Sequence, residues 1–222
     1  MRAAPVVAAL TIGQSPRDDV LEEMGDALGG ARVVQGGALD GLTPGEIRAL
    51  APSPGDAVLV SRLRDGTEVR LAERLVLPRL EQCVRSLEPE VQLFLVLCTG
   101  DLPGFTSQRP VLFPGALLRQ LAVSLHPQQL GVLTPAAEQV AAQRSRWQEV
   151  APRVFVEAVS PYSGRDQLED AAVCLAAAGV DLVVMDCIGY TRAMKAAVRS
   201  ATRCPVLLAV TTLARVAAEI VG

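Results

Sequence analysis

The sequence predicts an α/β protein with two similar lobes, each built on a mainly parallel four-stranded sheet flanked by helices. Short β-branched or aliphatic runs alternate with longer stretches of helical period, a pattern typical of parallel α/β folds. Four predicted strands precede residue 100 and four follow residue 128, with a segment rich in Gly and Pro between them. Since 222 residues suffice for two compact halves, we expect an N-terminal lobe from residues 1–108 plus 211–222, completed by the C-terminal helix, and a C-terminal lobe from 109–210.

Each strand or helix is predicted from one apolar run or one stretch of helical period. The first apolar run ends at Gly13 and is followed by polar residues, so we interpret it as a buried strand rather than a signal peptide. An Asp-Gly turn within 63–67 lies between two short runs and predicts a β-hairpin, which interrupts the alternation once. The predicted strands are 5–12, 31–35, 57–63, 92–97, 129–133, 153–159, 181–186 and 205–209. The predicted helices are 16–28, 72–88, 114–125, 136–149, 165–178, 191–201 and 211–221.

Composition excludes several classes of partner. Half of the residues are apolar, only 3% are aromatic, and the net charge is −3. The net charge predicts no basic surface for nucleic acid, and so few aromatic side chains argue against base stacking as a mode of binding. The sequence contains no run of 18 apolar residues, so it predicts no transmembrane helix. The five cysteines are too far apart in sequence for a zinc ribbon or a Cys-x-x-Cys pair. We therefore expect free thiols in a reducing cytoplasm, with no membrane partner.

Common cofactor motifs are missing as well. Lys195, the single lysine, has no P-loop around it and is poorly suited to a pyridoxal phosphate Schiff base. The turn after the first strand carries one glycine, Gly13, where a dinucleotide fingerprint needs three. The single histidine, His126, lies at a helix end away from every motif, which favours a solvated turn residue. A mechanism based on a histidine cluster is therefore excluded.

Two cysteines stand out because they occupy matching contexts. Cys98 ends one aliphatic run in Cys-Thr-Gly, and Cys187 ends another in Cys-Ile-Gly. Ligands of parallel sheets bind outside the carboxyl ends of the strands, where helix N-termini can stabilise a thiolate, so these thiols can act as bases without histidine. Gly100 and Gly189 would let a ligand approach the backbone closely. Simple packing of two buried thiols remains an equal alternative, while Cys83, Cys174 and Cys204 are expected to be inert.

The chain also resembles a known family, the AroM-like proteins, over essentially its whole length. The segments that carry the resemblance are 10–13 (Leu-Thr-Ile-Gly), 59–66, 184–190 and 204–208. That family is similar to the aspartate/glutamate racemase superfamily, which includes hydantoin racemase and maleate isomerase. The resemblance implies two α/β lobes, a cleft between them, one cysteine from each lobe, and proton transfer with no metal or organic cofactor.

Carried over by position, the resemblance assigns roles to individual residues. Cys98 and Cys187 correspond to the two catalytic cysteines. The substrate contacts correspond to Gln14, Ser15, Thr99, Gly100, Thr134, Ile188 and Gly189. Two departures are visible: Thr99 replaces the usual asparagine, and no histidine follows Cys187. For Ser15 and Thr134, helix capping is an equally good interpretation.

The expected function is that of a cofactor-independent racemase or isomerase. Its substrate would be a small carboxylate-bearing or hydantoin-like molecule, on which Cys98 and Cys187 act as an acid/base pair. The alternative is a non-catalytic protein that binds a small organic acid in a racemase-like cleft, which the two departures favour. A third hypothesis is isomerisation by one nucleophilic cysteine. The expected partner is a small-molecule substrate or anion, and the apolar composition is compatible with a homo-oligomer.

Overall fold

Two parallel sheets with the same strand order organise the chain. The computed structural model describes residues 4–222. These residues divide into an N-terminal unit, which ends at Phe113 and also includes Leu213–Gly222, and a C-terminal unit, Pro114–Thr212. The fold is therefore the predicted α/β architecture with two four-stranded sheets.

The strands and helices follow the predicted alternation along the chain. The strands are β1 (Val6–Thr11), β2 (Arg32–Gly37), β3 (Val58–Arg62), β4 (Glu68–Ala72), β5 (Leu93–Val96), β6 (Val111–Leu112), β7 (Gln129–Thr134), β8 (Arg153–Ala158), β9 (Leu182–Met185) and β10 (Val206–Leu208). The helices are α1 (Asp18–Met24), α2 (Pro44–Arg48), α3 (Glu73–Leu87), α4 (Pro114–Leu125), α5 (Val140–Trp147), α6 (Arg165–Ala177), α7 (Arg192–Thr202) and α8 (Ala209–Val221). Short 3₁₀ turns occupy Gly25–Leu28, Glu88–Glu90 and Ala137–Gln139.

The two main sheets are topological repeats of each other. The N-terminal unit has the order β2-β1-β5-β6, and the C-terminal unit has β10-β9-β7-β8. In each unit the first strand pairs in parallel with the second and the third, and the third pairs with the fourth. β5 and β9 are buried along their whole length, as expected for central strands of a parallel sheet covered on both faces. Equivalent positions in the two units can therefore be compared strand by strand.

One predicted strand belongs to a different sheet than expected. Predicted strand 57–63 forms β3, which pairs antiparallel with β4 in a separate two-stranded sheet. This confirms the hairpin predicted from the Asp-Gly turn, where Gly66 has a positive φ of 89°. The fourth strand of the N-terminal sheet is instead β6, two residues within the Gly/Pro-rich segment taken as a connection. Such a short strand shows no periodicity, so the sequence pattern did not indicate it.

Several helices are shorter than predicted. The predicted helix 16–28 becomes α1 followed by a 3₁₀ turn, and the predicted helix 136–149 begins with a 3₁₀ turn before α5. The short helix α2 was missed, although a capping box between Thr43 and Glu46 marks its start. Within residues 4–222, none of the helices has both the length and the apolar character needed to cross a membrane.

Candidate functional site

The predicted site residues lie at the carboxyl edge of each sheet. In the N-terminal unit, Gln14 and Ser15 follow β1, and residues 98–100 follow the adjacent strand β5. In the C-terminal unit, Thr134 ends β7, and residues 187–189 follow the adjacent strand β9. Each unit thus brings its own set of candidates to one edge, the usual ligand position in parallel α/β sheets.

Cys98 is a buried thiol that accepts a backbone hydrogen bond. Its residue is 8% exposed, and the Gly100 N–H donates to Sγ at 3.4 Å. A donor aimed at sulfur favours the thiolate over the neutral thiol. A Cβ at position 100 would lie 3.0 Å from Leu59 Cδ2 and 3.3 Å from Cys98 Sγ. Gly100 therefore lets the chain turn tightly enough for this hydrogen bond to form.

The loop after β1 is held by a carboxylate and an arginine that the sequence analysis did not identify. Asp40 accepts hydrogen bonds from Ser15 N at 2.9 Å, Ser15 Oγ at 2.6 Å, Gly37 N at 2.8 Å and Arg64 Nη2 at 3.0 Å. Arg64 Nε also donates to the Ser15 carbonyl, and the Arg64 N–H donates to Gln14 Oε1 at 3.1 Å. Arg64 lies at the tip of the β3–β4 hairpin, so this inserted hairpin clamps the Gln14–Ser15 loop.

The packing of this loop depends on two glycines. A Cβ on Gly37 would come within 2.6 Å of Ser15 N and 2.7 Å of the Gly13 carbonyl oxygen. A Cβ on Gly13 would clash with Ser61 Oγ and lie 2.9 Å from the Arg62 carbonyl oxygen. Real Cβ atoms do not approach backbone atoms this closely. Glycine is therefore required at position 37 for the loop after β1 to meet the end of β2, and at position 13 for that loop to pack against β3.

The capping interpretation of Ser15 and Thr134 is wrong. Ser15 Oγ donates to a carboxylate instead of accepting from a helix N–H, and α1 begins after Arg17 with no side-chain cap. Thr134 Oγ1 donates to Gln139 Oε1 at 2.7 Å, and no side chain caps the helical segment that follows it. Thr134 is fully buried whereas Ser15 is 8% exposed. Ser15 is therefore slightly more accessible as a residue than Thr134.

In the C-terminal unit, a buried polar cluster holds the residue before Cys187. Asp186 is 1% exposed, and its Oδ2 accepts from Trp147 Nε1 at 3.1 Å and lies 3.6 Å from Arg146 Nη1. The Arg146 guanidinium lies 5.7 Å from the Trp147 ring centroid. This buried carboxylate fixes the end of β9 and with it Cys187, which is 7% exposed.

The loop after Cys187 packs against two tyrosines. A Cβ on Gly189 would lie 2.8 Å from Tyr162 Oη, so this glycine makes room for a neighbouring side chain. Tyr190 is fully buried and donates to the Val159 carbonyl at 2.6 Å. Burial, reinforced by the charges of Cys187 and Asp186, raises the pKa of Tyr190 well above its ordinary value. Tyr190 is therefore a neutral donor that ties this loop to the end of β8.

The other thiols and the histidine lie outside these loops. Cys83 is half-buried on α3, where burial and then the charge of Asp40 raise its pKa, which keeps it a neutral thiol at neutral pH. Cys174 is exposed on α6, and Cys204 is buried after α7. His126 is exposed with a positive φ of 50° just after α4. Within residues 4–222, no cluster of three or more His, Cys, Asp or Glu side chains could hold a metal ion.

Comparison with known proteins places this arrangement in a known fold. Allantoin racemase from Klebsiella pneumoniae is similar with a TM-score of 0.62 and 15% identity, over 98% of this chain and 88% of that one. Picrophilus torridus aspartate racemase gives 0.60 and 10%, over 99% and 95%. Glutamate racemase from Aquifex pyrophilus gives 0.59 and 13%, over 98% and 84%. These TM-scores show that the chain shares the fold of these three racemases. No curated protein matches the sequence.

The sequence itself matches one protein family over nearly its whole length. The family described as AroM protein covers residues 7–221. That span includes both main sheets except Val6 of β1, the inserted hairpin and every candidate site residue. The chain therefore belongs to the AroM family.

Proposed function

We propose that this chain is a cofactor-independent racemase or isomerase that uses Cys98 and Cys187 as an acid/base pair. Its substrate would be a small carboxylate-bearing or hydantoin-like molecule. The observation that carries the proposal is the equivalent position of the two cysteines. Each follows the third strand of a sheet with the same strand order, and each is buried to a similar degree.

The proposed step removes one proton from a carbon and then delivers another proton to the same carbon. One thiolate takes the proton α to a carbonyl, so that an S–H bond forms while the C–H electron pair is delocalised into the carbonyl. The opposite thiol then donates its proton to the other face of that carbon and becomes the thiolate. Charge and atoms balance, and the enzyme returns to its starting state after the reverse turnover. The mechanism requires each sulfur to come within about 3 to 3.5 Å of the reacting carbon.

The immediate surroundings of the cysteines support this role. The Gly100 N–H gives Cys98 a donor that favours the thiolate, and burial excludes competing water. Cys83 provides the contrast, since it lies on α3 instead of following a strand, and its thiol donates to the Gly37 carbonyl at 3.6 Å. The names of several proteins of this fold, allantoin, aspartate and glutamate racemase, agree with racemase chemistry.

Proton exchange in heavy water tests the proposal. The full chain is incubated in D₂O with a panel of small chiral carboxylic acids and 5-substituted hydantoins, and loss of the α-proton signal is followed by NMR. Wild type should exchange at least one substrate, while Cys98→Ala and Cys187→Ala should each lose racemisation by a factor of about 10² or more. Cys174→Ala, which changes an exposed thiol on α6, is the matched control and should behave as wild type. Racemisation at the wild-type rate in both Cys98→Ala and Cys187→Ala would contradict the proposal.

A second candidate is a protein that binds a small organic acid without converting it. It is favoured by Thr99 in place of the usual asparagine and by the absence of a histidine after Cys187. Such a protein would be stabilised by a ligand in thermal-shift screening, yet the ligand would keep its α-proton in D₂O. Racemisation that depends on both cysteines would exclude this candidate.

A further inference from the structure

We infer that the Gln14–Ser15 loop recognises an amide-type C(=O)–N–H edge, and that the substrate is an amide, imide or ureide rather than a bare carboxylate. The inference deepens the proposed function and rests on it in one respect, namely that this loop belongs to the substrate site. It is carried by the direction of the hydrogen bonds that the two side chains already make.

The Ser15 hydroxyl can only accept a hydrogen bond from a ligand. Its single proton is donated to Asp40 Oδ2 at 2.6 Å. The direction is unambiguous because the Asp40 carboxylate also takes donors from Ser15 N, Gly37 N and Arg64 Nη2, so it acts throughout as an acceptor. What Ser15 Oγ offers to a ligand is therefore its lone pairs.

Gln14 presents the opposite polarity. Its Oε1 accepts from the Arg64 backbone N–H at 3.1 Å. A backbone N–H is always a donor, so this contact fixes which end of the amide is oxygen and leaves the NH₂ group on the other side. Among residues 4–222 the Gln14 NH₂ group has no hydrogen-bond acceptor, and the side chain is half-buried rather than fully solvated. Gln14 thus offers two N–H donors.

A donor on Gln14 and an acceptor on Ser15 match the C(=O)–N–H edge of a ligand. A carbonyl oxygen can accept from Gln14 while the adjoining N–H donates to Ser15, as in an amide, imide or ureide. A carboxylate has only acceptors. It would place an oxygen against the Ser15 lone pairs and near Asp40, which leaves a buried polar group unpaired and is costly.

The nearby arginine does not reverse this preference. Arg64 Nη2 pairs with Asp40 at 3.0 Å and its Nε donates to the Ser15 carbonyl. Its positive charge is therefore balanced by the carboxylate that orients Ser15. The Arg64–Asp40 pair fixes the loop, and the polarity of Gln14 and Ser15 selects the ligand.

Binding of matched probes to the full chain tests the inference. Succinimide, N-methylsuccinimide and succinate have similar carbon skeletons but differ in the N–H and the charge. We expect succinimide to bind more tightly than either of the others by about tenfold, the effect of one hydrogen bond of ordinary strength. Ser15→Ala should remove the difference between succinimide and its N-methyl form, and Gln14→Ala should weaken both imides.

Matched controls separate recognition from folding. Gln82→Ala and Ser86→Ala change the same residue types at exposed positions of α3 in the same unit and should leave all three affinities unchanged. Gln14→Ala removes a single hydrogen bond from a half-buried side chain, so it tests the inference even if Ser15→Ala disturbs the loop. Circular dichroism reports whether each variant is folded.

The outcomes distinguish this inference from the proposed function. Equal affinity for succinimide and N-methylsuccinimide, tighter binding of succinate, or no binding of succinimide would each overturn the inference. Ser15-dependent binding of N–H probes, with no cysteine-dependent exchange of any candidate, would support it while the proposed function fails. Cysteine-dependent exchange confined to carboxylic acids would support the proposed function and overturn the inference.

Discussion

The two units share one sheet topology but support the loops at its carboxyl edge by different means. In the N-terminal unit, the loop beside Cys98 is clamped by the Asp40–Arg64 pair, whose side chains are 32% and 54% exposed. In the C-terminal unit, the residue before Cys187 is held by the Asp186–Arg146 pair, whose side chains are 0% and 14% exposed. The repeated fold dictates where each cysteine lies, whereas the supporting polar groups differ. The polar group that supports the loop is therefore partly exposed in the N-terminal unit and buried in the C-terminal unit.

Removing the buried carboxylate should have the largest effect on stability. Asp186→Ala removes the largely buried ion-pair partner of Arg146 and one of two acceptors of Trp147 Nε1, which keeps Gln143 Oε1 at 3.0 Å, so we expect the free energy of unfolding to fall by about 3 kcal/mol. Asp40→Ala removes a partly exposed partner and should cost about 1 kcal/mol. Urea unfolding followed by circular dichroism measures both values. Equal losses would mean that the two units are supported in the same way.

A glycine substitution should test the close approach that shapes the N-terminal loop. Gly37→Ala places a Cβ within 2.7 Å of two backbone atoms, and we expect a loss of about 2 kcal/mol because backbone must shift. The matched control is Gly104→Ala in a loop of the same unit, where a Cβ meets no atom within 4 Å and φ is not positive. This control should be neutral or slightly stabilising. Thermal unfolding of the two variants gives the comparison, and a neutral Gly37→Ala would show that the loops do not need this contact.

The inserted hairpin also carries a polar group that lowers stability. Ser61 is 2% exposed, and within residues 4–222 its Oγ has no hydrogen-bond partner. Ser61→Ala should therefore raise the free energy of unfolding by about 1 kcal/mol, since the desolvated hydroxyl is removed. Chemical denaturation measures the change, with Ser86→Ala on α3 as an exposed control. A destabilised Ser61→Ala variant would indicate a bonded role for the hydroxyl.

The smallest effect should appear at the start of α1 and depend on pH. Burial alone would raise the pKa of Asp19, but the hydrogen bonds and charge of Arg17 outweigh it and lower the pKa below its ordinary value. A carboxyl group with a lowered pKa stabilises the fold above its unfolded pKa, and this stabilisation is lost as pH falls through the folded value. Asp19→Asn should thus cost at most about 1 kcal/mol at pH 7, because Asp19 is 43% exposed. Denaturation curves of variant and wild type should converge in acid, and a constant gap would contradict this.

The repeat of two four-stranded α/β units follows from the alternation of apolar runs, and both cysteine positions follow from where those runs end. The hairpin was predictable because Asp-Gly is a local signal. β6 was not predictable, since two residues carry no periodicity and its pairing with β5 is decided by tertiary contacts.

The clamps around the candidate site were harder to predict. Asp40 and Ser15 lie 25 positions apart, and Arg64 and Ser15 lie 49 apart, so no short motif links them. Asp186 did carry a signal, a charged residue directly after the buried run of β9. Such a residue is rarely buried unless it is paired. Its partners on α5 became visible only in the folded structure.

The central claim is that Cys98 and Cys187 act on opposite faces of one carbon. It is tested most directly by following deuterium incorporation and configuration together, with each enantiomer of a substrate that wild type racemises. Each single Cys→Ala variant keeps one base and lacks the opposing acid. We predict that each variant stops racemising but still exchanges deuterium with retention on one enantiomer, the two variants acting on opposite enantiomers. Continued racemisation by both single variants, or exchange of the same enantiomer by both, would contradict the account.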